Sequence, residues 1–299
     1  MISGTSVKVY VIIATYNAHD WIIKCLDSVD VTRYAVVVID NASTDDTVDI
    51  IRNKYNAVCL ICGDSNLGFG KANNVGIRRA IEVNADFVFL LNQDAWLEPD
   101  TIEHLVEAQE RHPEFWILSP LQKNSVTNTY ECQFGKYVQK CNFDLSSACP
   151  QEVAFVGASL WLMSRECINT VGGFDPLFPH YGEDNDYVRR VHYWRGKIGV
   201  YPRAIGYHER VMSVKQISGI ESLQSRSELH YLSLLKNVRY PLYVNCILTL
   251  LFCIYCVVKS LCALRVALGF ANLKAVYGAC HIRGIAHAHR ESKIVKAFL

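Results

Sequence analysis

An aspartate and a distant histidine are the residues whose types could hold a metal ion. Asp94 follows an apolar, strand-like run at residues 87–91, and His208 directly follows another at residues 205–207. A carboxylate oxygen suits Mg²⁺ or Mn²⁺, and an imidazole nitrogen shifts the preference towards Mn²⁺. The two residues therefore predict a divalent-metal site that could neutralise a diphosphate. Each also has a plain structural explanation, since Asp94 could be a turn residue and His208 a partly exposed residue at a strand end.

A run of acidic residues is the second candidate for chemistry. Glu183, Asp184 and Asp186 follow Gly182 and lead into a helical pattern that runs through Trp194. Acidic side chains in the first turn of a helix are stabilised by the helix dipole. The run taken alone is therefore explained by helix stability.

The glycines argue against two nucleotide-binding classes. A dinucleotide site requires Gly-x-Gly-x-x-Gly directly after the first strand, whereas the first apolar run ends in Thr15-Tyr16-Asn17. Gly68-Phe69-Gly70 lacks the last glycine, and the sequence contains no Gly-Lys-Ser/Thr phosphate loop. Hydride transfer with a nicotinamide and P-loop phosphate chemistry are both disfavoured.

The elements that must position these residues alternate between strand and helix patterns over the first 120 residues. Strand patterns lie at residues 7–14, 35–39, 57–61 and 87–91, and helical patterns at 20–29, 71–83 and 101–111. A further helix is expected after Asp40, with Ser43 or Thr44 as its N-cap. Repeated β-α units predict a right-handed, doubly wound parallel sheet, whose ligand lies at the carboxyl ends of the strands.

Beyond residue 120 the pattern is less regular. Residues 122–151 have weak periodicity and predict an irregular connection. Further strand patterns lie at residues 155–163, 199–201 and 205–207, with a short helical pattern at 165–171. The second half therefore predicts a less regular succession of elements than the first.

Composition narrows the class of protein. The chain has 299 residues, of which 51% are hydrophobic, and its 30 basic and 29 acidic residues give a formal net charge of +1. This balance argues against a dedicated nucleic-acid-binding protein. The 12 cysteines lack zinc-finger or disulfide spacing and predict reduced thiols. No signal-peptide pattern opens the sequence, so we expect a cytoplasmic protein.

The C-terminal region differs in character. Seven Lys or Arg residues and one Glu lie within residues 259–299, a net charge of +6. A helix over the uncharged residues 242–258 would measure about 25 Å, short of the ~30 Å hydrocarbon core. Three interpretations stay open, in decreasing order of preference: a helix on an anionic membrane surface, a helix packed on the protein, and a membrane span. We expect a catalytic domain at 1–238 and a C-terminal apolar, basic helical region at 239–299.

Several motifs, in this order along the chain, resemble those of family 2 inverting glycosyltransferases. The segments are Val11-Ile12-Ile13-Ala14-Thr15-Tyr16-Asn17, Val38-Ile39-Asp40-Asn41-Ala42-Ser43-Thr44-Asp45, Asn66-Leu67-Gly68-Phe69-Gly70-Lys71-Ala72-Asn73-Asn74-Val75-Gly76, Leu90-Leu91-Asn92-Gln93-Asp94, Gly172-Gly173-Phe174-Asp175 and Glu183-Asp184-Asn185-Asp186. The resemblance covers about residues 7–210 and is greatest to the rhamnosyltransferase-like branch that builds bacterial surface polysaccharides. It implies a GT-A fold, an α/β architecture with a doubly wound, mostly parallel sheet, nucleotide-binding and acceptor-binding halves, and here C-terminal helices.

The resemblance also implies roles for single residues on the donor side. The residues implied to line the nucleotide pocket are Thr15, Tyr16 and Asn17. Asp40 would hydrogen-bond the base or ribose, and Asn73 would help to hold the donor. Asp94 matches the metal-binding Asp of the family's Asp-x-Asp element, and His208 matches a His that can join it, so a divalent Mn²⁺ or Mg²⁺ is implied.

On the acceptor side, Asp184 matches the catalytic base, and Glu183 and Asp186 would support the acceptor pocket. Two departures from the family pattern concern the metal element. Asn92 replaces its first Asp, which leaves Asn92 as a neutral donor-binding position, and Gln93 stands where relatives often have Pro. Trp194-Arg195 reverses the order found in processive synthases, so one sugar per encounter is expected.

The resemblance therefore implies inverting, non-processive transfer of a hexosyl or deoxyhexosyl unit. The donor would be a UDP- or dTDP-sugar, and the acceptor a hydroxyl of a glycan or lipid-linked glycan in surface polysaccharide synthesis. The expected location is the cytoplasm, peripherally on the inner face of the cell membrane, where the C-terminal region would provide the contact. A catalytically silent nucleotide-sugar-binding subunit is the alternative, kept open by Asn92.

Overall fold

The computed structural model describes residues 7–141, 143–179, 181–209, 220–263 and 265–299. Within these ranges the chain forms nine strands and eleven helices. The strands are β1 (Val9–Thr15), β2 (Ala35–Asp40), β3 (Cys59–Cys62), β4 (Phe87–Leu91), β5 (Ala95–Leu97), β6 (Phe115–Lys123), β7 (Gln151–Glu152), β8 (Leu160–Ser164) and β9 (Lys197–His208). The helices are α1 (Ile22–Asp27), α2 (Thr47–Lys54), α3 (Phe69–Glu82), α4 (Thr101–Arg111), α5 (Cys132–Val138), α6 (Arg165–Val171), α7 (Glu183–Tyr193), α8 (Ile220–Leu235), α9 (Leu242–Cys262), α10 (Val266–His281) and α11 (Ile285–Glu291).

The strands form one mixed α/β sheet in the order β3-β2-β1-β4-β8-β6-β9-β5, with β7 paired to β9. The first four strands in that order are parallel, as their β-α alternation predicts, whereas β8 runs antiparallel to both β4 and β6. Parallel strands end at the same edge of a sheet, and Thr15 lies in register with Asp40 there. The polar residues that follow β1, β2 and β4 therefore gather at one edge.

The side chains of β1 alternate between two hydrophobic cores. Ile12 packs with Trp161 and Phe174 on the face that α3, α6 and α7 cover, and Val11 packs with Leu105 of α4 on the other. Such burial on both faces explains why the parallel strands are continuous apolar runs. Helix α3 comes close to the sheet at Gly76, where a Cβ would lie 2.5 Å from Cγ2 of Ile12.

Several predicted elements are confirmed with their boundaries, namely the strand at 87–91 and the helices at 101–111 and 165–171. The predicted N-cap of the second helix is wrong. Helix α2 begins at Thr47 with Asp46 in the N-cap position. Ser43 is instead bonded to Asp40 and to the backbone N–H of Asn17, which holds this part of the chain outside the helix.

Three predictions for the second half are corrected. Residues 122–151 are not an irregular connection throughout, because they include α5, whose N-cap Glu131 accepts the backbone N–H groups of Gln133 and Phe134. The strand predicted from residue 155 begins at Leu160. The two short strands at 199–201 and 205–207 belong to the single strand β9, in which the register opposite β6 shifts between Tyr201 and Ile205.

Helix α9 is longer than the sequence pattern predicts. It has 21 residues, about 31 Å at 1.5 Å per residue, so the argument that it is too short to span a membrane is wrong. Among the described residues it is the one helix whose length and composition would allow a crossing, and 22% of its most apolar window is buried. One face of α9 is buried, formed by Asn245, Thr249, Cys253 and Ser260. The interpretation as a helix packed on the protein therefore describes this face and not the rest of the helix.

The last residues of the C-terminal region contact α6, the loop after it and α7. The carbonyl of Ala297 accepts the N–H of Gly173 at 2.8 Å, and Lys296 donates its N–H to the Thr170 carbonyl at 3.1 Å. The ring of Phe298 lies 5.1 Å from the guanidinium of Arg190 on α7. Residues from both predicted domains therefore meet beside α7.

Candidate functional site

The carboxylate of Asp40 is fixed at the end of β2 by its neighbours. Thr15 Oγ1 donates to its Oδ1 at 3.2 Å, and Ser43 donates its N–H to Oδ2 at 2.9 Å and its hydroxyl to Oδ1. Both Thr15 and Asp40 are buried at the sheet edge. These bonds give Asp40 a defined orientation before any ligand binds.

The loop after β1 is built by side chains from two other loops. Gln93 accepts the N–H of Tyr16 through Oε1 at 2.7 Å and donates from Nε2 to its carbonyl at 3.2 Å. Asn17 has a left-handed backbone (φ 49°), and its Oδ1 accepts the N–H of Thr44 at 2.8 Å. The side chain of Asn17 therefore shapes the loop, whereas the ring of Tyr16 is 44% exposed. Sequence reasoning gave Gln93 no role, because its partner lies on a different strand end.

Asp94 and His208 lie side by side, as required for two ligands of one ion. The Oδ1 atom of Asp94 is 3.4 Å from Nε2 of His208, and the amide Nδ2 of Asn92 is 3.5 Å from the same nitrogen. His208 is buried, and its Nδ1 has no hydrogen-bond partner among the described residues. The described residues contain no group of three or more His, Cys, Asp or Glu side chains that could hold a metal. A carboxylate oxygen facing an imidazole nitrogen fits a divalent cation with two protein ligands.

Two adjacent carboxyl groups begin helix α7. Gly182 precedes them with φ 93°, and Glu183 is 6% exposed, with no hydrogen-bond partner for its Oε2 among the described residues. Burial raises the pKa of Glu183 to about 7, and the neighbouring Asp184 adds to that rise. Asp184 is half-buried, and its Oδ1 accepts the N–H of Asn185 at 2.7 Å. A Cβ built on Gly157 would lie 3.7 Å from Oδ2 of Asp184.

Asp186, which the sequence predicts to support the acceptor pocket, is bound by two basic side chains. Its Oδ2 accepts from Nε of Arg190 at 2.9 Å, and its Oδ1 accepts from Nζ of Lys236 at 3.0 Å. Lys236 also pairs with Asp175, and all four charged groups are buried. The structure therefore places Asp186 inside a closed ion network, where its charge is compensated by protein groups.

Asn73 and Asn74 on α3 serve different partners. Asn73 is buried, and its Nδ2 donates to the carbonyl of Phe69 one turn earlier at 2.9 Å. Asn74 accepts the N–H of Phe174 at 2.7 Å and donates to its carbonyl at 2.8 Å. Sequence reasoning missed Asn74, although it lies within the quoted α3 motif.

The candidate residues lie around one short segment of the chain, residues 157–159 between β7 and β8. Asp184 faces this segment at Gly157, and the N–H of Asn92, two residues before Asp94, donates to the Ser159 carbonyl at 2.9 Å. The N-terminus of α3 touches the acidic end of α7 as well, because a Cβ built on Gly70 would lie 3.7 Å from Cβ of Glu183. The structure thus brings the Asp94–His208 pair and the Glu183–Asp184 pair to the same region.

The family model for glycosyl transferase family 2 matches residues 10–172 of the chain. An N-acetylglucosaminyl-diphospho-decaprenol L-rhamnosyltransferase of Mycobacterium tuberculosis is 27% identical over 220 residues, which cover 63% of this chain and 70% of that protein. The poly(ribitol-phosphate) β-N-acetylglucosaminyltransferase TarS of Staphylococcus aureus is 30% identical over 113 residues, which cover 35% of this chain. The matched part spans only about a fifth (19%) of TarS.

Solved structures show the same fold. The mannosyltransferase PcManGT of Pyrobaculum calidifontis, in complex with GDP-Man and Mn²⁺, matches with a TM-score of 0.57 and 19% identity over 94% of this chain and 75% of that chain. The structure of S. aureus TarS with UDP-GlcNAc matches with a TM-score of 0.57 and 19% identity over 80% of this chain and 69% of that chain. The fold is GT-A, as predicted.

Proposed function

The chain belongs to glycosyl transferase family 2, and we propose that it transfers a hexosyl or deoxyhexosyl unit, one at a time and with inversion, from a nucleotide-sugar to a glycan hydroxyl. The observation that carries the proposal is that residues 157–159 contact both candidate pairs' segments: Asp184 lies against Gly157, and Ser159 accepts the N–H of Asn92, two residues before Asp94 of the Asp94–His208 pair. An inverting transfer requires one group that stabilises the leaving diphosphate and another that takes the proton of the attacking hydroxyl.

The donor lies at the sheet edge formed by β1, β2 and β4. Thr15 and Asp40 bind the base or ribose, while Asn17 and Asn73 hold the surrounding backbone through their own hydrogen bonds. Asn92 supports the loop that carries Asp94. TarS and PcManGT were solved with UDP-GlcNAc and GDP-Man, which supports a nucleotide-sugar donor, and a UDP- or dTDP-sugar is our assignment.

Asp94 and His208 are the residues that would hold Mn²⁺ or Mg²⁺. A divalent ion bound there would neutralise the negative charge of the diphosphate as it leaves. The facing carboxylate and imidazole suit Mn²⁺. With two protein ligands from this pair, oxygens of the donor itself would complete the coordination.

Asp184 acts as the general base on the acceptor side. Its carboxylate takes the proton of the acceptor hydroxyl while that oxygen bonds to the anomeric carbon, and the bond from this carbon to the diphosphate oxygen breaks. The electron pair leaves with the nucleotide diphosphate, and attack from the opposite face inverts the anomeric centre. Glu183 packs between Asp184 and the N-terminus of α3, where it shapes the acceptor pocket.

The acceptor is a glycan or a lipid-linked glycan of surface polysaccharide synthesis. The mycobacterial relative's name describes a diphospho-decaprenol-linked sugar, which supports a lipid-linked acceptor. The exposed apolar face of α9 and the basic residues after it suit an anionic membrane surface on the cytoplasmic side. In this arrangement residues 1–238 form the catalytic unit, and residues 239–299 form a helical region that binds the membrane peripherally.

A donor screen tests the proposal. The full chain is incubated with Mn²⁺ and a panel of UDP-, dTDP- and GDP-sugars, with and without lipid-linked glycan acceptors, and nucleotide release is measured. Acceptor-dependent release with one donor is expected, and the anomeric configuration of the product reports inversion. Binding of donors without release from any of them would favour a catalytically silent subunit.

A further inference from the structure

A closed network of four charged side chains lies beneath the N-terminal turn of α7. Lys236 pairs with Asp175 and, at 3.0 Å, with Asp186, while Arg190 pairs with Asp186 at 2.9 Å. The side chains of Lys236, Arg190 and Asp175 are 0% exposed and that of Asp186 is 5% exposed. Two acids and two bases leave the network neutral overall.

Burial and the neighbouring charges together shift the pKa values of the two acids in opposite directions. Burial raises the pKa of Asp175. Burial would raise the pKa of Asp186 too, but the charges of Lys236 and Arg190 outweigh it and lower that pKa. Buried ion pairs contribute little net stability, and fixing one arrangement of the chain is their best-attested use.

The members of the network come from three parts of the fold, since Asp186 and Arg190 both lie on α7. Asp175 ends the Gly-Gly-Phe-Asp loop, and Arg190 also donates to the carbonyls of Val171 and Gly173 at 2.9 and 2.7 Å, which holds the same loop. Asp186 lies in the first turn of α7, two residues after Asp184. The network therefore fixes the first turn of α7 against the loop.

Lys236 lies in the short connection between α8 and α9. It follows the last residue of α8, and Asn245 of α9 donates to the carbonyls of Leu235 and Asn237 on either side of it at 3.0 and 2.8 Å. The ring of Phe298 lies 4.7 Å from its Nζ. The position of this ammonium group thus depends on α8, α9 and the C-terminal segment together.

We infer that Lys236 is a positioning residue for the transfer reaction. By binding Asp175 and Asp186 at once, it sets where the first turn of α7 presents Asp184 to the acceptor. Because the C-terminal helices hold Lys236 in place, they contribute to catalysis as well as to membrane contact. The inference rests on the proposed function, because it takes Asp184 as the base.

The variant Lys236→Met tests the inference, since Met keeps most of the side-chain volume without the charge. We expect kcat for transfer to fall about 10- to 100-fold, the size of loss that a displacement near 1 Å can cause. The Kd of the nucleotide diphosphate that the wild type releases should stay within about twofold, because the strand-end residues are untouched. Leu105→Ala, which opens a cavity in the core on the opposite face of the sheet, is the control for lost stability. It should lower the Tm while kcat at 25 °C stays at the wild-type value.

The double variant Lys236→Met/Asp175→Asn separates positioning from charge balance. It leaves the neutral Asp186–Arg190 pair, so the Tm should recover towards the wild type while kcat stays low. Recovery of kcat together with the Tm would overturn the inference, and so would a wild-type kcat in the single variant. A wild type that transfers sugar from no donor would instead overturn the proposed function, and the inference with it.

Discussion

The imidazole of His208 faces the carboxylate of Asp94 at 3.4 Å, although the two residues come from distant parts of the chain. Strand pairing explains the contact, because β5 and β9 are antiparallel and Ala95, next to Asp94, lies opposite His208. The N–H of Glu209 also donates to the Asp94 carbonyl at 3.0 Å. Backbone bonds on both sides of the pair therefore fix its geometry without a ligand.

The first prediction concerns this pair. Asp94→Ala should weaken donor binding and turnover together, each by at least about 10-fold, because a lost metal ligand acts before and during the reaction. Titration with the nucleotide diphosphate and initial rates, with and without EDTA, measure both effects. Asp86→Asn is the matched control, since Asp86 precedes the opposite end of β4 and pairs with Arg165 there. An EDTA-resistant rate together with a silent Asp94→Ala variant would remove the metal from the site.

The second prediction separates catalysis from binding. Asp184→Asn keeps the size of the side chain but cannot accept the acceptor's proton, so transfer should fall about 10²- to 10⁴-fold. Donor affinity should hardly change, because Asp40 and Asp94 are not altered. Turnover and donor Kd are measured on the same preparation. Near-normal turnover would exclude Asp184 as the base and leave Glu183, since Asp186 is occupied by Lys236 and Arg190.

The sequence was most informative where one element alone determines the outcome. The strand Phe87–Leu91 is a continuous apolar run, and the helix Thr101–Arg111 is bounded by Asp100 and the approach to Pro113, so both could be predicted with their ends. The polar residues at the strand ends could be grouped as well, because parallel strands end at one edge. The role of Gln93 could not be predicted, since its partner is the backbone of Tyr16 in the loop after β1.

The same limit explains why the partners of Asp186 and Asn74 could not be predicted. Asp186 lies in an acidic motif, but its ion-pair partner Lys236 lies 50 residues further along the chain. Asn73 and Asn74 are neighbours on α3, and the sequence does not indicate which of them bonds to the backbone of Phe174. In the structure it is Asn74. The uncharged pattern predicts an end of α9 before Lys259, whereas the helix continues to Cys262. A lysine can lie in such a helix because its long side chain carries the charged end to water. The Nζ of Lys259 lies 5.8 Å from the Tyr255 ring.

The third prediction concerns pH and stability. Glu183 has a pKa of about 7 in the folded protein and 4.5 when unperturbed. The folded state binds this proton more tightly, so the stability that Glu183 contributes is complete below pH 4.5 and is lost as the pH rises through 7. Glu183→Gln stays neutral throughout. It should therefore be more stable than the wild type at pH 8, by at most about 3 kcal/mol, and nearly equal to it at pH 4.5.

Urea unfolding of both proteins at pH 4.5 and pH 8 measures this difference. Glu110→Gln, at an exposed position of α4, is the matched control and should change stability equally little at both pH values. An equal effect of Glu183→Gln at both pH values would show that folding does not raise the pKa of Glu183.

The C-terminal helices expose large apolar side chains on one surface of the protein. On α9 these include Leu250, Leu251 and Ile254, and on α10 Phe270 and Tyr277, each at least half exposed. The basic residues within 259–299 follow in the same region. Because the last residues of the chain pack beside Arg190 and Lys236, deleting the region would also disturb α7. Point substitutions on the exposed face avoid that damage.

The last prediction is that Leu250→Asn/Leu251→Asn/Ile254→Asn weakens membrane binding without affecting transfer to a soluble acceptor. The wild type should float with vesicles that contain anionic lipid, bind neutral vesicles less, and dissociate in part as salt is raised, since both apolar burial and charge attraction contribute. The triple variant should remain in the soluble fraction, because it loses the apolar contribution and keeps the charges. Leu145→Asn, exposed on a distant loop, is the control and should float like the wild type. A wild type that stays soluble with anionic vesicles at low salt would refute membrane docking, and the exposed face would then require another partner.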